Sequence, residues 1–189
     1  MNNKLTKPAR SHTFGHMTQK ELFKKTEKAY GGNLRNKRKG RYARPLAVKN
    51  SMHLVLRSSK ATGKWSFFKH HQKINAIVDK FAFKYGVKIL SLANVGNHLH
   101  FHIKLSNRYT YRPFIRALTA AIAMAVTKAS RWNKLDIKFW DYRPFTRVVI
   151  GFRAFLRMRD YVRINQLESQ GYDRTYARLV IRDFKVRPT

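Results

Sequence analysis

Apolar and polar positions alternate with a period of two from Met52 to Arg57: Met52, Leu54 and Leu56 fall on one side, His53, Val55 and Arg57 on the other. Successive side chains of an extended chain point to opposite faces, so this is the first predicted strand. After the turn-rich SSKATGK the period lengthens. Phe67, Phe68, Ile74, Ile77, Val78, Phe81 and Phe83 recur near helical spacing, with Ser66 as the cap and Gly86 as the stop. A second strand runs from Val87 to Val95, and Gly96-Asn97 is a hairpin signal into the run HLHFHIKL. In that third strand Leu99, Phe101, Ile103 and Leu105 line one face, while His98, His100, His102 and Lys104 share the other.

Beyond the loop SNRYTYRP, Pro113 suits a first helical turn, and Phe114, Leu118, Ile122, Ala125 and Val126 mark the buried stripe of a second helix. A fourth strand is expected within Asp136 to Ile150, interrupted at Pro144 as in an edge strand or a bulge. Gly151 opens a last long helix, ended by Gly171. The order β-α-β-β-α-β followed by a helix predicts an α+β fold, a ferredoxin-like antiparallel sheet with an additional C-terminal helix. Two helices cover one face; the histidines look out from the other, where the last helix can lie.

One domain is expected over residues 49–171. Residues 1–48 read as a basic arm with little apolar content, and residues 172–189 as a basic, aromatic segment with a short helix and a tail. Within the arm, Lys20 to Tyr30 has the pattern of a short helix that needs docking to persist. Its end gathers Arg35, Lys37, Arg38, Lys39, Arg41 and Arg44, which suit a phosphate backbone.

Charge narrows the partner. Lys and Arg total 41 against 9 Asp and Glu, a formal net charge of +32 spread along the whole chain. Such a surface calls for a polyanion, and nucleic acid is the first candidate because phosphate neutralisation releases condensed counterions. No apolar run approaches the ~20 residues of a spanning helix, and the N-terminus lacks the apolar core of a secretory signal. No membrane partner is therefore expected, and a cytoplasmic, nucleoid-associated location is. The sequence contains no cysteine, which removes disulfides, thiol chemistry and cysteine-bound zinc together.

Histidine, carboxylate, amide and hydroxyl are left to carry any chemistry. Two imidazoles two residues apart on a strand can reach one divalent ion, although a strand with one wet face also carries histidines without a metal. Spacing alone leaves His98 with His100, or His100 with His102, as the pair. His70 and His71 sit about 100° apart on a helix and do not readily share one ligand. On the last helix Tyr161 and Asn165 are four residues apart, so a hydroxyl and an amide share a face.

NHLH at Asn97 to His100, the stretch FWDYRPFTRVV and YVRIN at Tyr161 to Asn165 together resemble the REP-associated tyrosine transposases, bacterial relatives of the single-tyrosine HUH-type transposases. The resemblance covers roughly residues 40 to 170, including ARPL before the first strand. It implies a divalent metal, Mg or Mn, held by His98 and His100 and completed by Asn165. Tyr161 is then the nucleophile that cuts and rejoins single-stranded DNA near hairpins through a 5′-phosphotyrosine link. The family's preceding Asn, here Asn97, favours the first histidine pair. His102 departs from the pattern, which is usually apolar there, and is a possible third ligand. A free tyrosine titrates near 10, so the phenolate needs support, for which the metal, Arg157 and Arg163 are candidates. In some relatives the tyrosine helix is exchanged between two subunits and in others it serves its own chain, so monomer and homodimer both stay open. Two rivals remain: a relative that binds DNA without cutting it, and an RNA-binding module of the same topology.

Overall fold

The computed structural model describes residues 29–32, 43–130 and 132–186. Five antiparallel strands, β1 (Ala29–Tyr30), β2 (Ser51–Arg57), β3 (Val87–Asn94), β4 (His98–Leu105) and β5 (Phe145–Val149), form one sheet in the order β1-β5-β2-β4-β3. Strands β2 to β5 have the ferredoxin-like arrangement, and β1 adds a short outer strand against β5 through Ala29↔Arg147 and Tyr30↔Thr146. Helices α1 (His71–Tyr85) and α2 (Tyr111–Thr127) cover one face. Met52, Leu54, Phe101, Ile103, Phe114, Leu118 and Ile122 are fully buried in the core beneath them, each such side chain contributing about 1.5–3 kcal/mol by leaving water.

Helix α3 (Phe152–Ser169) lies on the opposite face, mainly across β3 and also against β4. Gly151 launches it at φ +86, a value that only glycine adopts readily. Helix α4 (Arg174–Val186) packs back on α3 and buries Ala177 and Ile181.

Three local expectations change in the fold. The first helix begins at His71, five residues after Ser66, because the Phe67 amide donates to the Gly96 carbonyl (2.8 Å) and its ring is fully buried. That cross-link to the β3–β4 turn holds residues 66–70 in turns. The fourth strand begins only at Phe145, since Pro144 has no N–H for the ladder. Upstream, Phe139 enters the core, its carbonyl accepts from the Ser58 hydroxyl, and Trp140 donates its indole N–H to the Thr119 carbonyl (3.1 Å).

The third change concerns the arm. Ala29 and Tyr30, expected at the end of a helix, are extended in β1, and Leu46 and Ala47 pack against the core. The rest of the expected Lys20–Tyr30 helix lies outside the described residues, as do Arg35, Lys37, Arg38, Lys39 and Arg41. Arg44 is described, and its guanidinium points inward. It donates to the Pro144 carbonyl (2.8 Å) and the Thr146 hydroxyl (2.6 Å), and sits 4.4 Å from the Tyr30 ring centroid and 5.4 Å from that of Tyr111.

Candidate active site

Strand pairing brings the histidines together. On the α3 face of the sheet, Arg57 lies opposite His98, Val55 opposite His100 and His53 opposite His102. The polar phase of MHLVLR thus adds His53 to the histidines of β4. The phase of His53 is visible in the sequence, but nothing local says that β2 pairs with β4 in this register.

Four rings form the centre. His98 and His100 meet with centroids 4.8 Å apart. His53 lies end to end with His100, centroids 5.4 Å apart and 10° between the planes, with its Nε2 3.2 Å from His100 Nδ1. Tyr161 stands edge-on to both, 5.6 Å from His100 and 5.7 Å from His53. It reaches them because its neighbour on α3, Val162, is fully buried and holds the helix down, while Tyr161 itself stays 37% exposed. The tyrosine of this chain therefore meets the histidines of the same chain.

The nitrogens are not equivalent. His98 Nδ1 is 2.6 Å from Asn97 Oδ1; an amide oxygen only accepts, so Nδ1 carries the proton and Nε2 keeps its lone pair. His100 uses Nδ1 toward His53, and its Nε2 is buried with no hydrogen-bond partner. Burial pushes His100 down to about 3, helped by His53 and His98, and pushes His53 down to about 4, helped by His102 and Arg147. His98 is lowered as well, by burial and then by Arg57. Near neutral pH these imidazoles are uncharged, the form in which a ring nitrogen can ligate a cation.

His102 is placed differently. It is fully buried, with Nε2 2.7 Å from the Ser51 hydroxyl and its ring 4.8 Å from Phe155 of α3. Asn165 is on the Tyr161 side of α3 but donates its amide to the Tyr161 carbonyl (2.7 Å), within its own helix. Among the described residues, no three His, Cys, Asp or Glu side chains gather in a way that could hold a metal. A cation here would rest on the two imidazoles of His98 and His100 and on neutral oxygen donors. The unpartnered His100 Nε2 and the tautomer of His98 fit that donor set.

Around the centre, Asp141 holds Arg57 beside His98: a carboxylate oxygen lies 3.4 Å from Arg57 Nε, and the other accepts from the Ser59 amide (2.7 Å) and hydroxyl (2.8 Å). Arg157 and Arg163 are both exposed on α3; Arg157, one turn before Tyr161, shares its side of the helix, whereas Arg163, two residues after it, faces away. His70 and His71 lie apart from this cluster and engage the carbonyls of Lys64 and Phe68. No helix among the described residues is long and apolar enough to cross a membrane.

No protein-family model matches the chain, and no curated protein matches it in sequence. The fold, however, recurs among solved structures. A REP-associated tyrosine transposase bound to a REP hairpin superposes with a TM-score of 0.56 over 69% of this chain and 74% of that one, at 13% identity. A provisionally assigned transposase from Deinococcus radiodurans aligns with a TM-score of 0.42 over 67% of this chain and 98% of that one, at 14% identity. The class defined by the fold is the antiparallel α+β architecture of the first of these, with the ferredoxin-like sheet and a helix on its second face.

Proposed function

We propose that this chain is a transposase-like enzyme that cuts and rejoins single-stranded DNA near hairpins, with Tyr161 as nucleophile. The observation that carries the reading is the packing of Tyr161 against His100, whose Nε2 is buried and free of hydrogen bonds. The fold neighbour bound to a hairpin and the charge of +32 support a nucleic-acid substrate.

In the proposed step the Tyr161 oxygen attacks a backbone phosphorus and gives up its proton. A tyrosyl P–O bond forms, the bond to the 3′ oxygen breaks, and that oxygen leaves as a 3′-hydroxyl. Attack by a 3′-hydroxyl on the same phosphorus reverses the sequence, so the phosphodiester energy is kept and no ATP is needed. His98 and His100 would hold a divalent cation through their Nε2 atoms, joined by Asn165 once its amide leaves the Tyr161 carbonyl. When bound, Mg or Mn offsets the charge that develops on the non-bridging phosphate oxygens. Arg57, fixed by Asp141 across from His98, is well placed to meet the phosphate.

The burial of Phe101 in the core and the packing of α3 across β3 and β4 weigh against the RNA-binding alternative. DNA binding without cleavage is the second reading. Denaturing electrophoresis of the protein with labelled single-stranded hairpin DNA and Mn²⁺ separates the two. A covalent adduct, absent in Tyr161→Phe, is expected; hairpin binding with no adduct selects the second reading.

A further inference from the structure

We infer that His53 is a positioning residue for His100: it accepts the His100 Nδ1 proton in the common plane of the two rings, so that His100 Nε2 is presented as a lone pair to a divalent cation. The inference rests on the proposed metal site, and it assigns a role to a residue on a different strand that neither the histidine motif nor the tyrosine motif contains.

The 3.2 Å contact between His53 Nε2 and His100 Nδ1 has one proton to place. If the proton is on His53, then His100 carries its own on Nε2, a buried donor with no acceptor, an arrangement that costs about 1–3 kcal/mol. If the proton is on His100 Nδ1, the buried unpaired atom is instead a lone pair directed to the centre. The second arrangement matches His98, whose Nδ1 proton is already committed to Asn97. Both imidazoles then offer Nε2, each with its other nitrogen anchored, the pattern in which a hydrogen bond to the far nitrogen sets tautomer and ring plane.

His53 is itself held. It is 7% exposed, nearly coplanar with His100 with planes 10° apart, and clamped edge-on by Phe145 at 5.9 Å and Tyr161 at 5.7 Å. With its Nε2 lone pair accepting from His100, neutral His53 carries its proton on Nδ1 and has no lone pair left for a cation. The same ring touches both the ligand and the nucleophile, so its position also sets the approach of Tyr161 to His100.

The test uses the full chain, with His53→Gln and His53→Leu variants. Gln retains an oxygen that can accept from His100 Nδ1, whereas Leu retains only bulk. Mn²⁺ affinity is measured by calorimetry without DNA, and the His100 tautomer by imidazole nitrogen NMR without metal. Expected are a proton on His100 Nδ1 in the unsubstituted chain, a loss of Mn²⁺ affinity of about 10- to 100-fold in His53→Leu, and partial recovery in His53→Gln. A His100 proton on Nε2, equal Mn²⁺ affinity in folded His53→Leu, or no Mn²⁺ binding by the unsubstituted chain overturns the inference. Adduct formation with hairpin DNA is scored separately: its absence while the metal results hold overturns only the strand-transfer reading.

Discussion

Tyr161 and His100 meet edge to face, with ring centroids 5.6 Å apart and planes at 85°, although one belongs to α3 and the other to β4. A phenol and a neutral imidazole are thereby held together inside one chain. Val162, next to Tyr161 on α3, is fully buried, while Tyr161 keeps 37% of its surface exposed.

Removing the phenolic oxygen should separate binding from chemistry. Tyr161→Phe keeps the ring that packs against His53 and His100, so the fold and hairpin affinity are expected to stay within about twofold of the parent, since most affinity comes from phosphate contacts. The covalent adduct should vanish. Adduct at the parental yield would move the nucleophile elsewhere, with exposed Tyr142 and Tyr172 next to test.

His102 should behave as a core residue. Its ring fills space between Ser51 and Phe155 with no exposure. His102→Ala is expected to cost about 2–4 kcal/mol in urea unfolding, through the cavity and the stranded Ser51 hydroxyl. Mn²⁺ affinity of the folded fraction should be unchanged; a tenfold loss would make His102 a ligand.

Arg44 should matter for stability more than for DNA. It ties the segment before β2 to β5 through Pro144 and Thr146 and lies against two tyrosine rings. Arg44→Ala is expected to lower stability by about 1–3 kcal/mol, and Arg44→Lys to recover little, because an ammonium lacks the planar fork. Equal denaturant midpoints with a shallower salt dependence of DNA binding would return Arg44 to the phosphate-binding set.

The remaining basic residues of the arm should govern salt dependence. Truncation at residue 44 would remove β1 and Arg44 with the arm, so the cleaner variant replaces Arg35, Lys37, Arg38, Lys39 and Arg41 with Gln. If each neutralises one phosphate, the slope of log affinity against log salt becomes shallower by roughly 3 to 5. A slope and affinity equal to the parent's would assign the arm to solubility alone.

Alkaline stability should report on Tyr111. Burial pushes its hydroxyl up to about 12, with Arg44 opposing. An unfolded tyrosine loses its proton near 10, so above that pH the unfolded chain binds fewer protons than the folded one, and stability falls as pH rises from about 10 to 12. The expected loss is about 1.4 kcal/mol per pH unit within that window. Tyr111→Phe should flatten this part of the profile relative to the parent; identical profiles would mean that the hydroxyl titrates as if exposed.

Much of this molecule is local and therefore legible along the chain. The phase of Leu99, Phe101, Ile103 and Leu105 against His98, His100 and His102 follows from strand geometry, and all four apolar residues are buried. Gly86 ends α1 in the left-handed conformation, and Gly151 and the turn at Gly96 likewise have positive φ. The ferredoxin-like order and the helix on the second sheet face also follow from the succession of periods. What tertiary structure alone decided depends on which strand meets which. His53 and His100 are 47 positions apart and meet only through the register of β2 on β4. The same pairing face separates two equivalent-looking histidines, setting His100 Nδ1 against a second imidazole, His53, while Ser51 engages His102 Nε2. Arg44 finds its partners 100 and 102 positions away, so a residue that reads as part of a solvated basic run becomes an internal tie. Periodicity records which face of an element is apolar; the pairing of distant faces is set by the packing of the whole chain, and that is where the surroundings of His53, His102 and Arg44 are decided.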